Sequence, residues 1–540
     1  MTTATHNRFL DSKLAYLAPR LYLAVAVLSL PLPGHTAIIS VNSTNDNGLG
    51  SLRQAIQDAA ASDTINFSVT GVITLTNGEL VITKNLAITG PGATNLAVSG
   101  NTNSRVFEIS SNVIVSISGL TVRDGQARNF TNAPYNNGGG FFNAGTLTLS
   151  GCIVINNRAG SYGGAGGGIY NGGTLTLAAC TVSGNYGAYA GSGGGIGSGG
   201  GIYNTGVLTL TSCTLSDNAG GVGGYGTGGH GRGGRGGNGG GICNLGSLKL
   251  TNCTINRNTG GIGGHGANGG IATSPRPGGS GGSGGGIYNS GTLTLSASTL
   301  SGNAGGAGGP GGTGEGSAPG GDGGSGGGIF NATNASPAKL LDVLVALNRI
   351  GAPGPAGSCC GAGVGPDLFG PFASQGHNLV GLFDSSVGFT NGVSNDLVGS
   401  VTAPVNPMLG SLQDNGGPTF TMALLPGSPA LNAGDDALLT APFNLTTDQR
   451  GLPRKSGAHV DIGAFELQLR PSLSGLTVLG NGQFRFTLLG EAGRSYTIQA
   501  SADLVTWTAL TNFVSATGTN QFTDTSAPNF NRRFYQVVTP

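Results

Sequence analysis

Apolar and polar positions alternate in short runs from Thr64 to Val122: Ile65, Phe67 and Val69, then Ile73 and Leu75, Leu80 and Ile82, Leu86 and Ile88, Leu96 and Val98, Val113, Val115 and Ile117, Leu120 and Val122. A period of two turns one face of each run inward, so each run is a strand. Asn77-Gly78 and Gly90-Pro91-Gly92 punctuate them as turns. No helical period as long as a βαβ crossover intervenes, which excludes a doubly wound sheet or an α/β barrel.

Beyond Gly138 the alternation becomes a repeat. The chain reads GGGFFNAGTLTLSGCIVINN from Gly138, GGGIYNGGTLTLAACTVSGN from Gly166, GGGIYNTGVLTLTSCTLSDN from Gly199, GGGICNLGSLKLTNCTINRN from Gly239 and GGGIYNSGTLTLSASTLSGN from Gly284. A sixth copy opens at Gly326 and fades through LLDVLVALNRI. A unit that returns this often buries its apolar face by stacking on its neighbours, which is a solenoid. Three strand segments per unit predict an all-β, right-handed parallel β-helix of ~12 coils, with equivalent residues ~4.8 Å apart along the axis.

Position by position, the constants of the unit become ladders. Ile169, Ile202, Ile242 and Ile287 point inward, as do the paired leucines from Leu147 and Leu149 to Leu293 and Leu295. The sixth place is Asn143, Asn171, Asn204, Asn244, Asn289 and Asn331, and the twentieth is Asn157, Asn185, Asn218, Asn258 and Asn303. Asn tolerates the left-handed backbone of a corner, and its amide can bond to the amide above and below. Cys152, Cys180, Cys213 and Cys253 share the fifteenth place and read as an inward stack of small apolar side chains. Ligands in a line cannot converge tetrahedrally, so no metal site is read there. Cys359 and Cys360 are the candidate disulfide, a vicinal one.

What varies is the spacing between units. Inserts grow from 8 to 25 residues, leave from one corner, and are nearly pure glycine, as in GGVGGYGTGGHGRGGRGG from Gly220. Such a composition cannot bury a core of its own, and a flexible or loosely packed fringe is expected along that edge. Exposed variable segments on one side of a repeat protein are its usual binding edge.

The remaining segments bracket the solenoid. Lys13 and Arg20 flank the apolar run Leu21–Leu32, and His-Thr-Ala ends at Ala37, so residues 1–37 read as an export signal too short to span a bilayer. Residues 38–63 form an N-terminal cap, in which Ser51 with Gln54 three places on starts a helix whose apolar face covers the open end. The β-helix proper takes residues 64–350, a C-terminal cap region 351–469, and a small β-sandwich 470–540, a module for anchoring, sorting or adhesion.

Composition narrows the function. Of 540 residues 107 are glycine, only 9% are charged against ~25% in ordinary soluble domains, and 24 Lys and Arg balance 23 Asp and Glu. No basic field exists for a nucleic-acid backbone. Between Gly138 and Phe330 the acids are Asp217, Glu315 and Asp322 alone, whereas glycoside hydrolysis needs two carboxylates facing one cleft. No catalytic residue, metal ligand or cofactor motif is read. Gly-His-Gly at His230 and His265 occurs in polygalacturonases, whose β-helix of the pectin-lyase-like class this architecture resembles, but their acidic motifs are missing in order along the coils. Thr146 and Thr148, Thr174 and Thr176, and Thr292 and Thr294 allow a second reading as a flat threonine array similar to those of β-helical ice-binding proteins, which Val207, Ser247 and Lys249 interrupt.

PDLFGPFASQGHNLVG, NPMLGSLQDNGGPTFTMALLPGSPALNAG and TDQRGLPRKSGAHVDIGAFE resemble the C-terminal part of secreted bacterial β-helix proteins known as choice-of-anchor Q domain proteins, and GSLRQAI resembles their N-terminal segment. The units are similar to the repeats of chlamydial polymorphic outer-membrane proteins, and the tail to C-terminal modules of exported verrucomicrobial proteins. This chain departs from the first family with Asn432-Ala433-Gly434 in place of its commoner Asp-Ala-Gly. The resemblance implies a secreted or cell-surface, outer-membrane-associated β-helix with no established reaction. Asp448, Arg450, Arg454, Asp461 and Glu466 are charges in a charge-poor region, and bidentate pairing among them would lock the terminal coil. The function expected is adhesion, or binding of polysaccharide or another surface, through the insert-bearing edge. A polysaccharide lyase or hydrolase is the competing class.

Overall fold

In the computed structural model, residues 36–127, 136–190, 197–227, 231–270, 274–355, 360–468, 470–490 and 493–539 are described. Residues 1–35, most of the stretch expected to be an export signal, together with His230 and Cys359, lie outside them.

The chain winds a right-handed parallel β-helix with three faces. Sheet A carries the Thr-Leu-Thr-Leu segments, such as Thr146–Ser150 and Thr174–Ala178, paired in parallel and in register. Sheet B carries the short strands that follow the cysteine, such as Thr181–Ser183 and Thr214–Ser216. Sheet C carries the strands that follow the glycine triplet, such as Ile169–Asn171 and Ile202–Asn204. Sheet B has 11 strands, and sheets A and C join into one of 20 where Leu368–Ser374 runs around their shared corner. The coils do not stop at residue 350: Leu379–Val380 and Leu397–Val398 extend sheet B beyond it. One continuous core runs up the axis, with Leu147, Leu177, Leu210, Leu250 and Leu295 fully buried.

At the first coil, the helix Leu52–Asp58 starts on Ser51, whose hydroxyl accepts from Gln54 N at 3.2 Å, and buries Leu52, Ala55 and Ile56. The Gln54 amide turns to Asp58 at 2.7 Å instead of reaching back, so only half of the expected capping box forms. Arg53 is structural: it pairs with Asp46 at 2.8 Å and donates to the Glu79 carbonyl at 2.9 Å.

The glycine-rich inserts are not a loose fringe. Each goes out and returns as two extended arms, and successive inserts stack. Every third amide donates along the axis: Gly223 to Ile262 O and Gly226 to His265 O, both at 2.8 Å, and Gly263 to Ala307 O at 2.9 Å. Intervening amides zigzag between outgoing and returning arms: Gly221 to Gly197 O, Gly237 to Gly221 O, Gly261 to Gly237 O, Gly282 to Gly261 O, Gly306 to Gly282 O and Gly324 to Gly306 O, all at 2.7–2.8 Å. Three residues per turn without internal bonds is the polyproline-II habit, which leaves every amide free for a neighbour. These glycines have no positive φ, so space rather than backbone freedom selects them. A Cβ on Gly264 would meet Gly224 O at 2.0 Å, and one on Gly279 would meet Gly234 O at 1.8 Å. The composition forbids a side-chain core, and the backbone's own donors and acceptors supply the cohesion in its place.

Residues beyond the last coil do not simply cap it. The segment from Val405 to Leu467 folds back along the outside of sheet B. There the strands Thr214–Ser216, Thr254–Asn256, Thr299–Ser301 and Leu344–Ala346 are buried on both faces, while Ile153–Ile155 and Thr181–Ser183 keep one face partly open. The tail forms two three-stranded antiparallel sheets around Phe486, Leu488, Tyr496 and Ile498.

Candidate functional site

The sixth-place asparagines form one chain of hydrogen bonds. Asn143 Nδ2 donates to Asn171 Oδ1 at 2.7 Å, Asn171 to Asn204 at 2.7 Å, Asn204 to Asn244 at 2.7 Å, Asn244 to Asn289 at 2.6 Å and Asn289 to Asn331 at 2.7 Å. All six are fully buried. The twentieth-place ladder runs from Asn157 through Asn185, Asn218, Asn258 and Asn303 to Asn348, and ends on the Asp367 carboxylate at 2.9 Å. An acceptor without a donor suits the last rung, and burial raises the Asp367 carboxyl to about 6.

The cysteine column does more than fill space. Cys152 N donates to Cys180 Sγ at 3.5 Å and Cys180 N to Cys213 Sγ at 3.4 Å, while each thiol donates to the carbonyl two residues before it. Ser298 takes the fifth rung and does the same, accepting from Cys253 N at 3.1 Å and donating to Ser296 O at 2.8 Å. The bond to Cys180 and then burial raise the Cys152 thiol well above its ordinary range, and burial does so for Cys213. Cys360 is half-buried, with its thiol 2.8 Å from Gly320 O. Its expected partner Cys359 lies outside the described residues.

In the charged cluster Arg450 pairs with Asp448, and the other charges take other partners. Arg450 Nε and Nη2 both reach one oxygen of Asp448, at 2.8 and 2.7 Å, and its guanidinium lies 3.7 Å from the centre of the Phe465 ring. Arg454 pairs with Asp342 at 2.6 Å through Nη2, with both side chains fully buried. Asp461 and Glu466 bind backbone amides: Asp461 those of Asn432 and Leu467, both at 2.7 Å, and Glu466 those of Ser456 and Asp461 at 2.7 and 2.8 Å. Burial, then the nearby Asp461 charge, raises the Glu466 carboxyl to about 9. Asp342 escaped sequence reasoning because it sits 112 residues from Arg454 inside an apolar coil.

Gln449 between these charges fixes the segment to the solenoid. Its amide donates to Thr214 Oγ1 and Thr419 Oγ1 at 2.9 Å, and its oxygen accepts from Thr254 Oγ1 at 2.6 Å. Ala464 N adds a bond to Thr299 Oγ1 at 3.0 Å. The distinctive Asp-Gln-Arg-Gly and Asp-Ile-Gly-Ala-Phe-Glu stretches therefore seal sheet B.

Sheets A and C and the insert lobe remain open. On sheet A the outward columns are Thr146, Thr174, Val207, Ser247 and Thr292, and Thr148, Thr176, Thr209, Lys249 and Thr294. On sheet C the fifth-place rings stack face to face: Phe142 on Tyr170 at 5.1 Å, Tyr170 on Tyr203 at 5.6 Å, Tyr288 on Phe330 at 5.1 Å and Phe330 on Phe369 at 4.9 Å, all within 16° of parallel. Cys243 interrupts them, and Arg105 covers the first ring at 5.0 Å. Most ring faces in this ladder are consumed by the next ring.

The insert lobe differs. On its outgoing arms Tyr189, Tyr225 and His265 stand in a file, 6.0 and 6.2 Å apart and tilted by 52° and 43°. Tyr225 is 56% exposed, with Val222 and Ile262 exposed beside the file. Tilted rings at this spacing pack edge against face, and of the three Tyr225 is the exposed one while Tyr189 and His265 are half-buried. The returning arms carry Arg232, Arg235, Ser280 and Asp322 between their glycines. Among the described residues no group of three or more His, Cys, Asp or Glu side chains stands in metal-holding geometry, and no helix is long and apolar enough to cross a membrane. No protein-family model and no curated protein matches this chain.

Proposed function

We propose that this protein is an exported, surface-associated β-helix that binds polysaccharide along its insert-bearing edge without cleaving it. The tilted aromatic file of Tyr189, Tyr225 and His265 carries the reading. The non-polar face of a sugar ring lies against an aromatic face, and rings about 6 Å apart on a rigid backbone offer consecutive platforms to an extended chain. Rigidity supports the reading too, because a pre-ordered platform loses little conformational freedom on binding. The likeness of residues 40–467 to choice-of-anchor Q proteins belongs to the same proposal. Asp217, the one acid within a repeat unit, is held bidentately by Arg257 at 2.8 and 3.0 Å, an arrangement suited to structure rather than to acid catalysis.

The test is affinity electrophoresis of the full chain through gels containing a panel of neutral and acidic polysaccharides, with parallel assay for released reducing and unsaturated ends. Retardation by at least one polymer is expected, weakened roughly tenfold by Tyr225→Ala, which corresponds to about 1.4 kcal/mol. Unchanged retardation in that variant would move binding away from the lobe, and released ends would overturn the non-enzymatic reading.

A further inference from the structure

The aromatic ladder of sheet C ends in a vacancy. Phe369 is its last ring, covered on one face by Phe330 at 4.9 Å. The next coil pairs Ser386 with Gly370 and Val387 with Pro371, and extending that register by one residue sets Ser385 opposite Phe369. Serine thus stands where the preceding coils carry a ring. The space left is an open surface pocket of about 400 Å³ lined by Thr333, Phe369, Gly370, Pro371, Ser385, Ser386 and Val387. That volume lies within the ~300–1,000 Å³ range of small-molecule sites.

Two features shape the pocket. Ser385 holds φ at +53°, the left-handed turn that many corners of this solenoid take, and so carries the chain round the end of the ring ladder. Gly370 holds φ at +108°, and a Cβ there would strike Asn331 O at 1.9 Å, so the chain is drawn tightly round the corner behind Phe369. Ser386 Oγ donates to Leu368 O at 2.8 Å, which fixes that hydroxyl with its lone pairs available. Thr333, Ser385 and Ser386 bring hydroxyls to an otherwise apolar lining, and no charged side chain lines the space.

We infer that this cavity is a second carbohydrate site, which takes one neutral pyranose ring stacked on Phe369 as the missing rung, with its hydroxyl groups meeting Thr333, Ser385 and Ser386. An aromatic floor with a hydroxyl rim and no charge selects for a sugar over a carboxylate or phosphate, which would require a cation. The site lies at the corner between sheets C and A, away from the insert lobe at the corner between sheets B and C. It deepens the polysaccharide reading, and its failure is separable from failure at the lobe.

Saturation-transfer NMR on the full chain, with methyl β-D-glucopyranoside, methyl β-D-galactopyranoside, cellobiose and benzoate as probes, decides the matter. Transfer to the ring C–H protons of at least one sugar is expected. It should fall at least fivefold in Phe369→Leu, which keeps an apolar residue beneath Phe330, and in Thr333→Trp, which fills the cavity from its exposed rim. The transfer is read in a Tyr225→Ala background, so that the signal reports the pocket beside Phe369 rather than the insert lobe. Sugar transfer that persists in both cavity variants, or transfer to benzoate alone, would overturn the assignment. Thermal melts of the two variants identify loss of fold, and Thr333→Trp, at an exposed position, keeps the test interpretable if Phe369→Leu is unstable.

Discussion

A corner residue in this solenoid is chosen for what its polar atom receives from the coil next to it. Ser298 replaces cysteine without altering the geometry because a hydroxyl accepts the neighbouring amide and donates to its own carbonyl as the thiol does. Cys180→Ser should therefore shift the unfolding midpoint little. Cys180→Ala strands the Cys152 amide in a fully buried place and should cost ~1–3 kcal/mol, measured by denaturant unfolding. A larger loss for serine than for alanine would show that the cost of burying the hydroxyl outweighs the bonds it makes. Because they are shut away from solvent, Cys152, Cys180, Cys213, Cys243 and Cys253 should react with an aromatic disulfide reagent only after unfolding. Gln449 makes the same point across a greater distance. Gln449→Ala removes bonds to Thr214, Thr254 and Thr419 at once and should destabilise by ~2–3 kcal/mol, with the effect confined to the folded-back segment in hydrogen exchange.

At the scale of the element, the strands and their ladders are legible in the chain because a period of two and a fixed unit translate directly into stacked, in-register sheets. The inserts are not legible by the same route. Reasoning from buried apolar area marks Gly220–Gly237 as fringe, since it counts side chains, whereas the lobe is held by backbone amides whose partners lie some forty residues away. The usable signal is the triplet spacing of glycine, with one variable residue after every two. Gly264→Ala should disrupt the zigzag, with faster hydrogen exchange in both adjoining inserts, whereas Val222→Ala at an outward place should change neither exchange nor stability. Equal effects from the two substitutions would contradict the ordered lobe. The charged cluster was half legible: Arg450 pairs with Asp448 two residues before it, but Arg454 takes Asp342 and the carboxylates of Asp461 and Glu466 take backbone amides, which no local spacing indicates.

For the whole molecule, the folded-back segment decides which surfaces remain for ligands and also how stability depends on pH. Burial lifts Glu466 from 4.5 to about 9 in the folded chain. A carboxyl whose folded value is raised binds its proton more tightly folded than unfolded, so its contribution is complete below the unfolded value and disappears as pH climbs through the folded one. Thermal stability should thus decline between pH 4.5 and about 9, and Glu466→Gln should flatten that decline. A decline equally steep in the glutamine variant would assign the effect to other groups. The same segment covers sheet B along the middle coils, so the surfaces left to solvent include the insert lobe, sheet A and the corner beside Phe369.

The zigzag of glycine amides also sets a grammar for change in length. An arm can gain or lose three residues and keep every outward side chain outward, and a matched gain on the returning arm preserves the pairing. A single inserted residue instead turns a tyrosine or arginine into a space where even a methyl group meets a carbonyl oxygen at about 2 Å. Within an ordered arm, length can therefore change by whole triplets while the coils beneath it stay the same.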